Sequence, residues 1–172
     1  MKRVCFAALC LAFMLEACRN STSPSASSSP TSSDISSSDQ VVKAYSHFIP
    51  TSSPPTNLEL VISPGFHINA NPASFPYLIA TEVKPGKADG IAVSDKLTYP
   101  SPKMETFAFA DAPLAVYEGS VTIPIPLTPA PGAKGQRTIP FEIRVQACDH
   151  EKCYPPSTLT ASLPINLDAI RR

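Results

Sequence analysis

Hydrophobic and polar residues alternate along four stretches of the chain. Leu58, Leu60 and Ile62 alternate with Glu59 and Val61. Val121, Ile123, Ile125 and Leu127 alternate with Thr122, Pro124 and Pro126. Phe141, Ile143, Val145 and Ala147 alternate with Glu142, Arg144 and Gln146, and Leu159, Ala161, Leu163, Ile165 and Leu167 repeat the pattern. A period of two sends successive side chains to opposite faces, so each stretch predicts a half-buried β-strand. Pro64-Gly65, Pro85-Gly86, Asp89-Gly90 and Pro131-Gly132 stand between strands as turn signals. No window carries a long helical period. The 20 prolines oppose one, because each lacks an N–H and clashes with the preceding turn. Short strands punctuated by turns predict an all-β sandwich or barrel. Pro124, Pro126 and Pro164 put their strands at edges or bulges, since proline cannot donate to a ladder.

The N-terminal part breaks this pattern. Lys2 and Arg3 precede an apolar run of 12 residues, Val4 to Leu15. That is too short to span a bilayer, which takes about 20 residues, and fits a secretory signal. Leu15-Glu16-Ala17-Cys18 resembles a bacterial lipobox. The resemblance implies cleavage before Cys18, lipidation of its thiol and a lipid anchor to the membrane. From Asn20 to Gln40, 15 of 21 residues are Ser, Thr or Pro. Such a segment buries too little apolar surface to offset its ordering entropy, which predicts a disordered tether. The expected organisation is a lipoprotein-type signal peptide over 1–18, a Ser/Thr/Pro-rich tether over 19–56 and a β-sandwich over 57–172. The composition of a folded domain sets in from about Val41.

Charge excludes several functions. The 172 residues hold 14 basic and 14 acidic groups, a formal net charge of zero, which leaves no basic footprint for nucleic acid. No Gly-rich phosphate loop, Gly-x-Ser-x-Gly or His-Glu-x-x-His is present, so a nucleotide enzyme or hydrolase is not expected.

Cysteines carry the chemistry. Cys5 and Cys10 would leave with a signal peptide and Cys18 would be lipidated, so the folded part keeps Cys148 and Cys153. In an exported domain, two cysteines point to a disulfide or a redox pair. If odd positions from Phe141 to Ala147 face the core, Cys148 faces away from it. Asp149-His150-Glu151-Lys152 reads as a polar loop, with Asp149 and Glu151 as candidate proton acceptors. His150 and Lys152 favour a thiolate, and the two acids oppose one. Three readings stay open. The pair is an exchange couple, or a local staple worth about 2 kcal/mol, or part of a metal site of Cys148, His150 and Cys153 with His67 or His47. His67 is a candidate for orienting a cysteine, against the plainer role of a half-exposed strand histidine.

Gln146-Ala147-Cys148, a polar loop and Cys153-Tyr154-Pro155-Pro156 resemble the N-terminal periplasmic domain of the thiol:disulfide interchange protein DsbD. Pro64-Gly65-Phe66-His67-Ile68-Asn69-Ala70-Asn71-Pro72 is similar to that domain's early Gly-aromatic strand. Tyr99-Pro100 and Val116-Tyr117-Glu118-Gly119 through Ile125-Pro126-Leu127 fall in the family's order, and the likeness runs from Asn57 to Leu167. It implies an immunoglobulin-like β-sandwich without cofactor or metal. It implies extracytoplasmic thiol–disulfide exchange of a protein-disulfide reductase type. Electrons would come from a thioredoxin-like or DsbD-type membrane donor and pass to oxidised exported proteins. By position, Cys153 would pair with partners and Cys148 would resolve, with His67 and His150 in support. An aromatic cap would fall on Phe107, Phe109 or Leu114; the family's adjacent Phe-Tyr pair is absent there. The rival class is a binding or assembly lipoprotein in which Cys148–Cys153 only staples a loop.

Overall fold

The computed structural model describes residues 34–50 and 55–170. The signal peptide expected over 1–18, the lipidation expected at Cys18 and the part of the expected tether up to residue 33 lie outside the described residues. Within them the chain forms β1 (Val42–Phe48), β2 (Thr56–Ile62), β3 (His67–Asn69), β4 (Glu82–Pro85), β5 (Ile91–Val93) and β6 (Lys103–Glu105). These are followed by β7 (Leu114–Tyr117), β8 (Ser120–Pro124), β9 (Leu127–Pro129), β10 (Gln136–Val145), β11 (Ala147–Cys148) and β12 (Ser157–Asn166). A single helical turn, α1 (Leu167–Ile170), closes the described chain.

Two sheets make the sandwich, in the orders β1-β2-β8 and β12-β10-β4. Their inner faces meet in one core that holds Leu58, Leu60, Val121 and Ile123 from the first sheet and Ile139, Phe141, Ile143 and Leu163 from the second. The alternation in the sequence is therefore the alternation of core and solvent. A third sheet has the order β11-β3-β7-β6, and β5-β9 form a separate ribbon. All strand pairs are antiparallel. The fold is an all-β, immunoglobulin-like sandwich.

The strands depart from the sequence reading in two places. The tether expected over 19–56 does not hold as far as 56, because regular structure begins at Ser38. Ser38–Gln40 form a 3-10 turn, Val41 and Val42 are buried, and all seven residues of β1 pair with β2. The strand itself, Val42–Phe48, holds a single serine, but its apolar residues do not alternate cleanly with polar ones, so no period of two announces it. The stretch from Val121 to Leu127 is not one strand. It breaks after Pro124, and Leu127–Pro129 turn away to pair with β5. Two prolines at alternate positions remove the donors a continuous ladder would need. Pro124 and Pro164 sit on β8 and β12, both edge strands, as expected.

β10 is the central strand of its sheet, and Ile143 lies in it between Val83 and Leu159, fully buried. Ile143→Ala is expected to destabilise the chain by about 3–4 kcal/mol through lost contacts and a residual cavity. Denaturant unfolding followed by circular dichroism checks this.

Candidate functional site

The strand from Gln136 does not end with its sheet. After Val145 it passes Gln146 and continues as β11, which pairs with β3 through Ala147↔Ile68 and Cys148↔His67. Gly65 makes the turn that delivers β3, with φ of 84°, a backbone state that favours glycine. Residues opposite each other in an antiparallel pair share a face. Ala147, Ile68 and Tyr117 therefore form one row, and all three lie in the main core. Cys148 and His67 point to the other face, as do Asn69 and Val116.

Parity thus sends Cys148 away from the sandwich core, yet it is 0% exposed. Its face is covered by a second cluster of Phe107, Leu114 and Val116, with Phe75, Leu78 and Ala110 packed on it. Cys148 is bonded to Cys153 in a disulfide. Cys153 is half-buried and lines a cavity of about 310 Å³ with Tyr77, Leu78, Phe109, Ala110, Leu114, Gln146 and Lys152. Cys148 is shut in, and Cys153 lines a largely apolar cleft.

The hairpin between the cysteines is held by side chains. Asp149 is buried, contrary to the solvated loop the sequence suggests. Its N–H donates to the Lys152 carbonyl at 2.9 Å, and its Oδ1 accepts the N–H groups of Glu151 and Lys152, each at 2.8 Å. Its Oδ2 accepts the Tyr154 hydroxyl at 2.6 Å. Tyr154 is itself buried against Phe66, with ring centroids 5.9 Å apart, and its N–H donates to the Ala147 carbonyl at 2.8 Å. Gln146 Nε2 donates to the Tyr154 carbonyl at 3.4 Å, while its Oε1 accepts Ile79 N–H at 3.2 Å. Asp149 is therefore occupied in shaping the turn.

The remaining sequence candidates fall in different places. Phe107 stacks on His67 at 4.0 Å and on Phe109 at 5.4 Å. Phe107 and Leu114 are buried; Phe109 is 38% exposed. His150 is exposed and its ring lies 5.9 Å from Phe107. His47 pairs with Glu59 on the first sheet at 2.9 Å and is not brought to the cysteines. No group of three or more metal-binding side chains occurs among the described residues. The sequence reading missed Phe75 and Leu78, which lie in an irregular stretch with no hydrophobic period to reveal them.

The family described as "Thiol:disulfide interchange protein DsbD, N-terminal" matches residues 35–165. The chain belongs to this family. The match takes in the turn at Ser38 and β1, so the DsbD N-terminal unit starts where the structure places it. Among solved structures, the DsbD N-terminal domain of Neisseria meningitidis in its reduced form is similar, with 15% identity and a TM-score of 0.41 over 64% of this chain and 77% of that one. No curated protein matches the chain.

Within this DsbD N-terminal unit His67 differs from expectation. It is 2% exposed, not half-exposed, and its Nε2 has no hydrogen-bond partner. Burial pushes it from 6.5 down to about 4, opposed by Glu118, aided by His150 and opposed again by Asp149 and Glu105. The folded state holds the ring neutral where the unfolded chain takes up a proton. Its contribution to stability is therefore complete above pH 6.5 and is lost as pH falls toward 4, about 3 kcal/mol in all. Unfolding free energies measured from pH 7 to pH 4 should show this fall, and His67→Gln should flatten it.

Proposed function

We propose that the chain passes electrons between a thioredoxin-like or DsbD-type membrane donor and oxidised exported proteins, using Cys148 and Cys153. The observation that carries this reading is the asymmetry of the disulfide, with Cys148 enclosed and Cys153 at a cleft. In the loading half-reaction a donor thiolate attacks Cys153 Sγ. The S–S bond breaks, Cys148 leaves with the electron pair and takes a proton, and a mixed disulfide joins Cys153 to the donor. The donor's second thiol displaces Cys153, leaving the chain as a dithiol and the donor as a disulfide. In the unloading half-reaction the Cys153 thiolate attacks a substrate disulfide, and Cys148 then attacks Cys153 Sγ to release the reduced substrate. Each cycle moves two electrons and requires no cofactor.

The apolar cleft suits partners that present a backbone and small side chains around an exposed cysteine. Phe107, Phe109 and Leu114 are proposed as the shield of the pair, and His67 and His150 as supporting groups. We place the reaction outside the cytoplasm, in the periplasm, with Cys18 as the lipid anchor and the Ser/Thr/Pro-rich segment before Ser38 as the tether. No helix among the described residues is long and apolar enough to cross a membrane.

The chain should be equilibrated in glutathione buffers and its alkylated thiols counted by mass. Half-reduction is expected between about −120 and −270 mV, the range of exchange proteins. A disulfide that persists below about −300 mV overturns the exchange reading and leaves a stapled binding module. Cys148→Ser should trap a mixed disulfide with a thioredoxin-like donor through Cys153, and Cys153→Ser should not.

A further inference from the structure

Ser38 is a polar residue that is 0% exposed, in the turn just before β1. Its hydroxyl donates to the Pro155 carbonyl at 2.8 Å and accepts the Ala147 N–H at 2.8 Å. Its own N–H also donates to the Pro155 carbonyl, at 3.1 Å. Ala147 immediately precedes Cys148, and Pro155 follows Cys153 by two residues. One hydroxyl therefore ties together both limbs of the cysteine hairpin. Ala147 takes the Tyr154 N–H on its carbonyl but gives its own N–H to Ser38, so the serine stands in as a rung of the ladder.

The turn that presents Ser38 is itself anchored. Ser157 Oγ donates to Asp39 Oδ1 at 2.7 Å and accepts the Asp39 N–H at 3.2 Å. Hydrogen bonds from Ser37 and Ser157 hold the Asp39 carboxyl below its ordinary value, so the hook to β12 is charge-assisted at neutral pH. Val41 and Val42, next in the chain, are buried in the core. The N-terminal turn is thus rigidly placed between the main sandwich and the redox hairpin.

We propose that Ser38 is a positioning residue for the cysteine pair, and that its clamp on Ala147 and Pro155 sets how readily the two thiols close. This rests on the exchange reading above. Closure transfers two electrons and two protons from the dithiol to glutathione disulfide, which leaves as two glutathione thiols. In the disulfide form the S–S bond already holds the limbs together. In the dithiol form only hydrogen bonds do, so the clamp keeps the thiols at closing distance and raises their effective concentration. Removing it frees the open form more than the closed one.

The test compares the glutathione equilibrium of the chain with those of Ser38→Ala and Ser38→Thr. Ser38→Ala removes both bonds of the hydroxyl and should lower the closure constant about fivefold to tenfold, since part of their worth is lost from both redox forms alike. That places its potential about 20–30 mV above the parent. Ser38→Thr, which keeps the hydroxyl, should return close to the parent value. A purely structural role would destabilise both redox forms equally and leave the potential unmoved. An unmoved potential in folded Ser38→Ala, or an equal shift in both variants, overturns the proposal. Where Ser38→Ala does not fold, Ser157→Ala unhooks the turn without orphaning the Ala147 N–H. It should shift the constant in the same direction, about threefold, and no shift there overturns the proposal as well. Failure of the parent reading is separately visible, as a wild-type potential below about −300 mV whatever the variants do.

Discussion

The strand that begins at Gln136 serves two sheets, and the placing of the cysteine pair follows from where it changes over. Up to Val145 it is the central strand of the second sheet, flanked by β4 and β12. From Ala147 it belongs to β3. The pleat continues across Gln146, so Ala147 stays in the core while Cys148 turns outward. A slip of one residue would exchange these two and put the sulfur into the sandwich, where no partner could reach its disulfide. The register of β10, fixed by its buried Ile139, Phe141 and Ile143, is thereby also the register of the chemistry.

A strand end that faces away from a core is ordinarily wet. Here it is dry, because β7, the segment before it and the segment between β3 and β4 bring Leu114, Val116, Phe107, Phe75 and Leu78 over it. This has an electrostatic cost, seen at His67. An imidazole stacked on Phe107, with an unpaired Nε2, is held neutral well below its usual range. Asp149, which follows Cys148 in the sequence, is already engaged by two N–H groups and the Tyr154 hydroxyl. The polar groups beside the disulfide thus serve to keep the enclosure in shape, while Cys153 alone of the two cysteines retains an outlet to the cleft.

Much of this was legible in the sequence and some of it was not. Alternation from Phe141 to Ala147 placed Cys148 on the correct face, and the spacing to Cys153 brought the two together. The prolines at 124 and 164 marked edge strands. What alternation cannot tell is whether an outward face is covered. Phe75 and Leu78 lie where there is no period, and their packing depends on partners distant in the chain. Ser38 is the sharper case. In a segment where most residues are Ser, Thr or Pro, one more serine carries no signal. Its role exists only through bonds to residues 109 and 117 positions away. β1 lies just beyond that segment and lacks a clean alternation, so a domain boundary drawn at residue 57 removes a strand and the clamp together.

The hydrogen bonds of the hairpin also bear on what its disulfide is for. Asp149 fixes the turn, Tyr154 N–H closes the limbs onto Ala147, and Ser38 and Gln146 span the base. None of these bonds uses a sulfur atom. A staple is most useful where nothing else restrains the loop it closes, and its stabilisation grows with loop length. Here the loop is five residues in sequence separation and is already restrained at the tip, the middle and the base. Opening the S–S bond removes little that holds the hairpin together, which makes it a poor structural device. The same property is what an exchange couple needs, since both redox forms must keep one backbone for partners to recognise and the thiols must be at hand when the bond closes again.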